Sequence, residues 1–384
     1  MSMTVARLAR MMALIAAAGL AAGGMAAGGA AAAAAARAGA GPGWRIVTTV
    51  GSASRGELPG SQVVATSASN AFIYWQCSDG SVATRSFNFI DHWNGRRWVH
   101  IALPVRLNYP RYLSGIGASS AKDLWAVTSF GGLYVWNGTS WKNRSIPSWV
   151  LTADRAGDLV AKLSVFAPDN AWIFSAPTTA AHYDRGAWHK VSLPATADAV
   201  TALAPDDIWA EGITSKSLPT QKPVWTAMHW DGSAWHTLAF PHLKLPASDS
   251  AGYQITATGP RDLWALRQVY KSGEVLSVTL LHWTGSWHAI KGPSGSADLS
   301  DPAPDGSGGL WMSGIHAAGS TVTWSFYHYG RQGWSQRAVP AEHGARNILW
   351  SLTSVPGTRS LWASGVLESH GGDSEIGDLM KYGT

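Results

Sequence analysis

The sequence has almost no cysteine and none of the short phrases that mark the common enzyme classes. Cys77 is the only cysteine among 384 residues, so an intramolecular disulfide is excluded and the fold must depend on buried apolar side chains. Phrases of the GxSxG, HExxH, Walker and GxGxxG types are missing from any suitable context. A disulfide scaffold is therefore excluded, and the sequence favours a non-catalytic protein.

The chain also lacks a strong charge once its first residues are set aside. Residues 1–38 read as an export signal with an Ala-rich leader, because Arg7 and Arg10 precede an apolar run and Ala36-Arg37-Ala38 offers a small-x-small cleavage site. The remaining residues, 39–384, carry a net charge of only about +2, from 26 basic and 24 acidic residues. No basic run with interleaved aromatics is present, so we expect no nucleic-acid partner.

The localisation expected from this leader is extracellular. The apolar run before Gly23 is short for a membrane span, and the alanines and glycines after it contribute little transfer energy. We therefore expect a secreted chain with no membrane span after the leader, cleaved near Ala38. A retained anchor is the alternative. We expect a single domain over 39–384 and a monomer.

What the sequence does contain is a repeated pair of aromatic phrases. In KDLWAVTSFGGLYVWNGTSW (122–141), two short β-prone runs are followed by the hairpin signal Asn137-Gly138 and a further strand at Trp141. The first phrase recurs with its aromatic at seven positions, namely Phe72, Trp125, Trp172, Trp209, Trp264, Trp311 and Trp362. Uneven spacing between constant phrases is typical of a repeat array with variable loops.

The second phrase indicates how the array closes into a ring. Its complete copies are HWNGRRW (92–98), VWNGTSW (135–141), HYDRGAW (182–188), HWDGSAW (229–235), HWTGSW (282–287) and HYGRQGW (328–334). A seventh copy stops at LMKYGT (379–384) without its last strand, whereas GWRIVTTV (43–50) is an outer-type strand with nothing before it to pair with. The sequence therefore predicts an all-β, seven-bladed β-propeller of four-stranded antiparallel blades, closed by the N-terminal strand in the last blade.

These phrases resemble the blades of tectonin-type propellers, and more loosely those of kelch and galactose-oxidase-like propellers. The resemblance covers essentially all of 43–384 and implies the propeller fold. Because tectonin-like lectins bind glycans, it also implies a carbohydrate ligand here.

Most of the 22 tryptophans belong to the repeat itself. Seventeen occupy the same places in successive blades, where burial of each indole stabilises the packing between blades. Five do not fit the repeat and are the predicted ligand-binding residues: Trp75, Trp149, Trp225, Trp324 and Trp350. The alternative for each is that it seals the base of a loop.

The two faces of the predicted propeller differ. Turns between strands 1 and 2 and between strands 3 and 4 are tight and share one face, which we call the turn face. Loops between strands 2 and 3 and the links between blades share the other, the loop face, and they hold the length variation, as in 147–160 and 211–225. Variable loops on a rigid scaffold are where recognition usually occurs, so we expect the ligand on the loop face.

Other sites receive less support from the sequence. Five histidines precede the third-strand aromatic of their blades, namely His92, His182, His229, His282 and His328, and this one-per-blade distribution cannot converge on a metal. We therefore expect no metal and no cofactor. The aspartates Asp123, Asp207 and Asp262 read as turn-stabilising residues.

The function expected is a non-catalytic binding module for a carbohydrate, with a protein partner as the alternative. A propeller hydrolase or oxidase is a third. An oxidase would need Cys77 beside tyrosine and histidine ligands, and a sialidase-like site would need converging arginines among Arg106, Arg111, Arg155, Arg267 and Arg346.

Overall fold

The computed structural model describes 13 stretches of the chain: 43–50, 61–78, 86–104, 113–128, 131–150, 162–176, 178–214, 224–246, 248–294, 297–318, 321–340, 346–368 and 375–383. The predicted leader, 1–38, lies outside them. Every regular element in these stretches is a β-strand. None of the described residues forms a helix suited to crossing a membrane.

The strands form seven antiparallel sheets of four. The first strand among the described residues is β1 (Trp44–Val50). Blade 1 holds β2 (Ser61–Ser67), β3 (Asn70–Ser78), β4 (Ser86–Trp93) and β5 (Trp98–Ile101). Blade 2 holds β6 (Leu113–Ser120), β7 (Asp123–Thr128), β8 (Leu133–Trp136) and β9 (Trp141–Arg144). Blade 3 holds β10 (Lys162–Ala167), β11 (Asn170–Ala176), β12 (Thr179–Asp184) and β13 (Ala187–Ser192).

The second half of the chain repeats this order. Blade 4 holds β14 (Ala199–Ala204), β15 (Asp207–Ile213), β16 (Trp225–Trp230) and β17 (Trp235–Ala239). Blade 5 holds β18 (Asp249–Gly259), β19 (Asp262–Lys271), β20 (Glu274–Trp283) and β21 (Trp287–Lys291). Blade 6 holds β22 (Ala297–Pro304), β23 (Leu310–Ala318), β24 (Thr321–Gly330) and β25 (Gly333–Ala338), and blade 7 holds β26 (Arg346–Ser354), β27 (Leu361–Glu368) and β28 (Glu375–Tyr382).

The ring closes as the sequence predicts. Strand β1 pairs with β28 in the order β1-β28-β27-β26, with Trp44 opposite Tyr382, so the start of the described chain completes blade 7. The Trp44 indole stacks on Phe326 of blade 6, with ring centroids 3.8 Å apart. The predicted fold class, a seven-bladed propeller, is confirmed.

The hydrophobic core is divided among the junctions between blades. Each of the seven core clusters draws its residues mainly from two neighbouring blades, as where Phe72 and Ile90 of blade 1 meet Ile116 and Leu124 of blade 2. The first-phrase aromatics are almost fully buried in these clusters, between 0% and 5% exposed. The tryptophans assigned to the repeat therefore hold adjacent blades together.

The fourth-strand tryptophans tie successive blades through hydrogen bonds as well. The indole Nε1 of Trp141 donates to the carbonyl of Ala102, that of Trp188 to Ser145, that of Trp287 to Ala239 and that of Trp334 to Lys291, at 2.8–3.0 Å. In each case the acceptor lies at or just beyond the outer strand of the preceding blade. Four blades share this bond, whereas the Nε1 atoms of the equivalent Trp44, Trp98 and Trp235 have no partner among the described residues.

A second repeated unit joins the turn face to the third strand. Each unit pairs a third-strand imidazole with an Asn or Asp side chain: His92 with Asn70, His182 with Asn170, His229 with Asp207, His282 with Asp262 and His328 with Asp305. The first four imidazoles stack on the first-phrase aromatic of the same blade, and His328 contacts Trp311 with its ring tilted by 33°. Asp207 and Asp262 thus bind histidine side chains, and the sequence reading of them as turn residues missed this partner.

Blade 2 lacks a histidine at this position, since Val135 stands there. Its aspartate, Asp123, accepts the Nε1 proton of Trp125 at 3.0 Å instead. All three aspartates of the phrase therefore have structural partners.

The two faces differ as the repeat lengths indicate. The longest turn-face connection between strands is 355–360, whereas the loop face holds connections such as 145–161 and 214–224. Several turn-face hairpins are closed by an Asn or Asp side chain and a glycine with positive φ. In one of them Asn137 Oδ1 accepts from the backbone of Thr139 and Ser140, and Gly138 has φ 96°.

Candidate functional site

The candidate site is a cavity of about 1180 Å³ along the axis of the propeller. It is lined by residues of every blade except blade 2, among the part of the chain that the structure describes. Its wall extends from Lys162 and Trp225 at the loop face to Gly306 and Gly357 at the turn face. The volume is at the upper end of the range for small-molecule sites, so the cavity has room for a ligand made of several linked units.

Three of the five predicted tryptophans line this cavity. Trp225 begins β16 in blade 4, Trp324 lies near the start of β24 in blade 6, and Trp350 lies in β26 of blade 7. All three are partly exposed. The fold thus brings together indoles that are far apart in the sequence and gives each a place on the same wall.

The other two predicted tryptophans are placed elsewhere. Trp75 is 1% exposed and lies within the core between blades 7 and 1, where Trp350 also packs. Its indole contributes packing and lies behind the cavity wall. Trp149 lies in the link after β9, partly exposed, with the Nζ atom of Lys190 6.0 Å from its ring centroid. Trp149 is not among the residues that line the cavity.

Sequence reasoning missed the charged residues of the cavity. The described residues that line it include four carboxyl groups and one ammonium group, from Asp198, Glu211, Asp262, Asp301 and Lys162. A signal for Glu211 was present, because it stands two residues after Trp209 where the other six blades carry Tyr74, Val127, Phe174, Leu266, Ser313 and Ser364. An acid at a position that is otherwise apolar or small was the clue.

The electrostatics at Lys162 and Glu211 follow from burial. Desolvation raises the pKa of the Glu211 carboxyl well above its ordinary value, the negative charge of Asp198 adds to this, and Lys162 opposes it. Burial lowers the pKa of Lys162, while Asp198 and Glu211 oppose that shift. The ammonium group donates to the carbonyl of Ala197 at 3.0 Å.

An aspartate on the cavity wall has an unusual backbone. Asp301 has φ 53° and lies at a bulge of the innermost strand β22, where the register shifts between Ser300 and Ala303. Bulges of this kind redirect a side chain. Its carboxylate accepts from the hydroxyl of Ser313 at 3.4 Å, and its backbone N–H donates to Gln254 of blade 5 at 2.9 Å.

Several residues singled out in the sequence lie outside this cavity or outside the residues that the structure describes. Arg106, Arg111 and Arg155 lie outside the described residues, as does the side chain of Arg346. The fifth arginine, Arg267, hydrogen-bonds to Tyr253 and, at 3.5 Å, to Thr279. The side chain of Cys77 is outside the description too. Within the described residues no group of three or more His, Cys, Asp or Glu side chains is arranged to hold a metal.

Comparison with other proteins identifies the fold and not the family. No protein-family model matches the sequence, and a comparison with curated proteins gives no match either. Many solved structures match the fold. One is YCF48 from Cyanidioschyzon merolae, with a TM-score of 0.54 and 12% identity over 88% of this chain and 98% of that one.

Two further structures show the same likeness. YCF48 bound to D1 peptide has a TM-score of 0.52 and 12% identity over 87% of this chain and 100% of that one. The β-propeller domain of the Trilobed protease from Pyrococcus furiosus has a TM-score of 0.53 and 10% identity over 84% of this chain and 94% of that one. At these identities the likeness shows that the chain is a β-propeller, and it does not identify the ligand.

Proposed function

We propose that this chain is an exported, non-catalytic binding module that takes a glycan into the loop-face end of its central cavity. The observation that carries the proposal is the convergence of Trp225, Trp324 and Trp350, from three different blades, on one cavity. All three indoles also pack against core clusters, but each is partly exposed and lines the cavity, where a flat aromatic surface suits the apolar face of a sugar ring. Export is proposed from the leader at 1–38 alone.

Polar groups that line the same cavity support a sugar over a purely apolar ligand. Gln62, Gln254 and Ser351 line the same cavity, together with the carboxyl groups described above. A sugar needs hydrogen-bond partners for its hydroxyls as well as a stacking surface, and a cavity with few, placed polar groups on an apolar wall provides both.

A peptide is the second candidate ligand. One structure with the same fold is described as bound to a peptide, and partly exposed tryptophans are also typical of peptide and protein interfaces. The two candidates are separated by experiment, because a peptide would use the indoles without any dependence on sugar.

The test is binding of secreted residues 39–384 to an array of glycans and cell-wall polysaccharides, beside Trp225→Ala and Trp324→Ala variants. The matched control is Trp149→Ala, which removes a partly exposed indole that does not line the cavity. We expect the control to bind like the native chain and the cavity variants to lose at least about tenfold in affinity, the equivalent of one stacked ring at 1.4 kcal/mol. Absence of binding by the native chain, or equal loss in the Trp149 control, would overturn the proposal.

A further inference from the structure

The cavity has the opposite charge character to the chain as a whole. Its described lining residues carry four carboxyl groups against the single ammonium group of Lys162, whereas the chain after the leader is slightly basic. Asp262 already has a partner, since it binds His282 at 2.7 Å. The acidic groups nearest the loop face are Asp198 and Glu211.

Glu211 is a buried acid with an unfilled hydrogen-bonding position. It is 2% exposed, and its Oε2 atom has no hydrogen-bond partner among the described residues. The residues opposite it on the neighbouring strands are Ala199 and Ala227, which have no polar side chain. A buried acceptor without a donor is unfavourable, so a group on the ligand that supplies the donor would recover that cost.

The groups around Glu211 do not supply that donor. Lys162 of blade 3 donates to the Ala197 carbonyl, and Asp198 accepts from the Thr196 hydroxyl at 3.2 Å. On blade 5, Tyr253 lines the cavity and is hydrogen-bonded to Arg267, which is not among the lining residues. Of these groups, the Asp198 carboxyl adds to the attraction of Glu211 for a cation, whereas the Lys162 ammonium group interacts with both carboxyls and opposes it. Arg267 is hydrogen-bonded to Tyr253 and Thr279.

The Trp225 side chain lies on the same side of the blade 4 sheet as Glu211. Ile213 pairs with Trp225 and Glu211 with Ala227, so Trp225 is the diagonal cross-strand neighbour of Glu211. A cation beside this pair would have a carboxyl group for a charge-assisted hydrogen bond and an indole for a cation–π contact.

We infer that the cavity binds its glycan through a primary ammonium group, as found on an amino sugar without its acetyl group, with Glu211 as acceptor and Trp225 as the aromatic neighbour. The inference rests on the proposed function and narrows its ligand class. Since Glu211 is protonated more readily than an ordinary carboxyl, because of burial and Asp198, ammonium binding also favours release of its proton to the solvent.

The experiment compares two probes that share a backbone and differ at nitrogen. N-acetylated chitotetraose presents amides, and its fully deacetylated counterpart presents ammonium groups when the pH is below the pKa of the sugar amine. We expect residues 39–384 to bind the deacetylated probe at least about tenfold more tightly, which is equivalent to about 1.4 kcal/mol, because only that probe offers a charge-assisted hydrogen bond. Calorimetry in two buffers of different ionisation enthalpy would measure the proton released.

Substitutions in the cavity test whether its carboxyl groups cause the preference for the deacetylated probe. Glu211→Gln is expected to reduce the preference to within about threefold, and Asp198→Asn provides a second variant at a more exposed site should the first fail to fold. Glu274→Gln, an exposed carboxyl on blade 5 outside the cavity, is the matched control and should keep the preference.

The possible outcomes distinguish failure of the ammonium site from failure of the proposed glycan binding. Equal or tighter binding of the acetylated probe would overturn the ammonium site and leave a glycan-binding protein. A preference that survives in both Glu211→Gln and Asp198→Asn would overturn the assignment to this cavity. Failure of both probes together with an empty glycan array would overturn the proposed function, and this inference with it.

Discussion

The imidazole of His282 lies flat on the indole of Trp264, with ring centroids 3.6 Å apart and planes inclined by 6°. The same imidazole binds Asp262 through Nε2 at 2.7 Å. One strand, one turn and one core indole are thereby fixed together within a single blade. Four other blades use the same unit with Asn or Asp as the acceptor, which explains why the histidines recur without forming a metal site.

The indole at the centre of this unit should be costly to remove. Trp264→Ala leaves a cavity in a core cluster shared by blades 5 and 6, and we expect a loss of about 3–5 kcal/mol in the free energy of unfolding. Trp149→Ala, at a partly exposed position, should cost clearly less. Urea unfolding followed by tryptophan fluorescence and circular dichroism measures both, and equal losses would show that Trp149 is as much a core residue as Trp264.

Acid should weaken the blades in which the acceptor is an asparagine. Burial lowers the pKa of His92 and of His182 below the ordinary 6.5, so the unfolded chain binds protons more readily than the folded one. The stability is then fully present above pH 6.5 and falls as the pH drops from there through the folded pKa values. Unfolding free energies from neutral to mildly acidic pH measure this loss.

A single substitution tests the origin of that pH dependence. Asn70→Asp would give His92 the carboxylate partner that His229 already has in Asp207, and the added negative charge should raise the His92 pKa. A ring-proton NMR titration of His92 reads the pKa directly. A His92 pKa that stays low in the variant would show that the carboxylate does not reach the ring as expected.

The buried acid of the cavity should act on stability in the opposite sense. Because the folded-state pKa of Glu211 is raised above 4.5, its contribution is fully present below pH 4.5 and is lost as the pH rises through the folded value. Glu211→Gln should therefore become more stable than the native chain at neutral pH, by a margin that grows with pH. Glu274→Gln, on the surface, should show no such trend in parallel urea titrations.

Substitutions in β1, the strand that closes the ring, should lower the free energy of unfolding by more than its short length suggests. Trp44 stacks on Phe326 and pairs opposite Tyr382, so Trp44→Ala loosens the contact of β1 with blades 6 and 7. We expect a cost of about 3–5 kcal/mol. Val47→Ala, at a position 36% exposed in the same strand, should cost under about 1 kcal/mol. Similar costs for the two would mean that β1 contributes little to closure.

The indole hydrogen bond between blades can be isolated by a pair of conservative changes. Trp287 donates to the Ala239 carbonyl at 2.9 Å, whereas the Nε1 atom of Trp235 has no partner among the described residues. Both replacements by phenylalanine remove similar volume, so Trp287→Phe should cost about 1 kcal/mol more than Trp235→Phe. Equal costs in thermal or urea unfolding would show that this hydrogen bond makes no measurable contribution to stability.

The sequence by itself determined the ring and its closure. Local phrases around residues such as Trp125 and Trp209 repeat seven times because each blade must bury the same aromatic against its neighbour, and the spare strand at 43–50 shows where the last blade obtains its fourth strand. The turn chemistry at Asn137-Gly138 is equally local. Such features can be read from sequence since each depends on short local phrases and on the order in which they follow one another along the chain.

The tertiary structure decided which residues form the cavity. Trp225, Trp324 and Trp350 converge while Trp75 is buried, and this division follows from side-chain direction and from blades that meet only after the ring has closed. The His229 partner of Asp207 was missed although both residues belong to blade 4, because their side chains meet only once β15 and β16 have paired. The buried Glu211 of β15 interacts with Lys162 of β10 and with Asp198 in the link before β14. Its electrostatics come from burial, which only the packed structure sets.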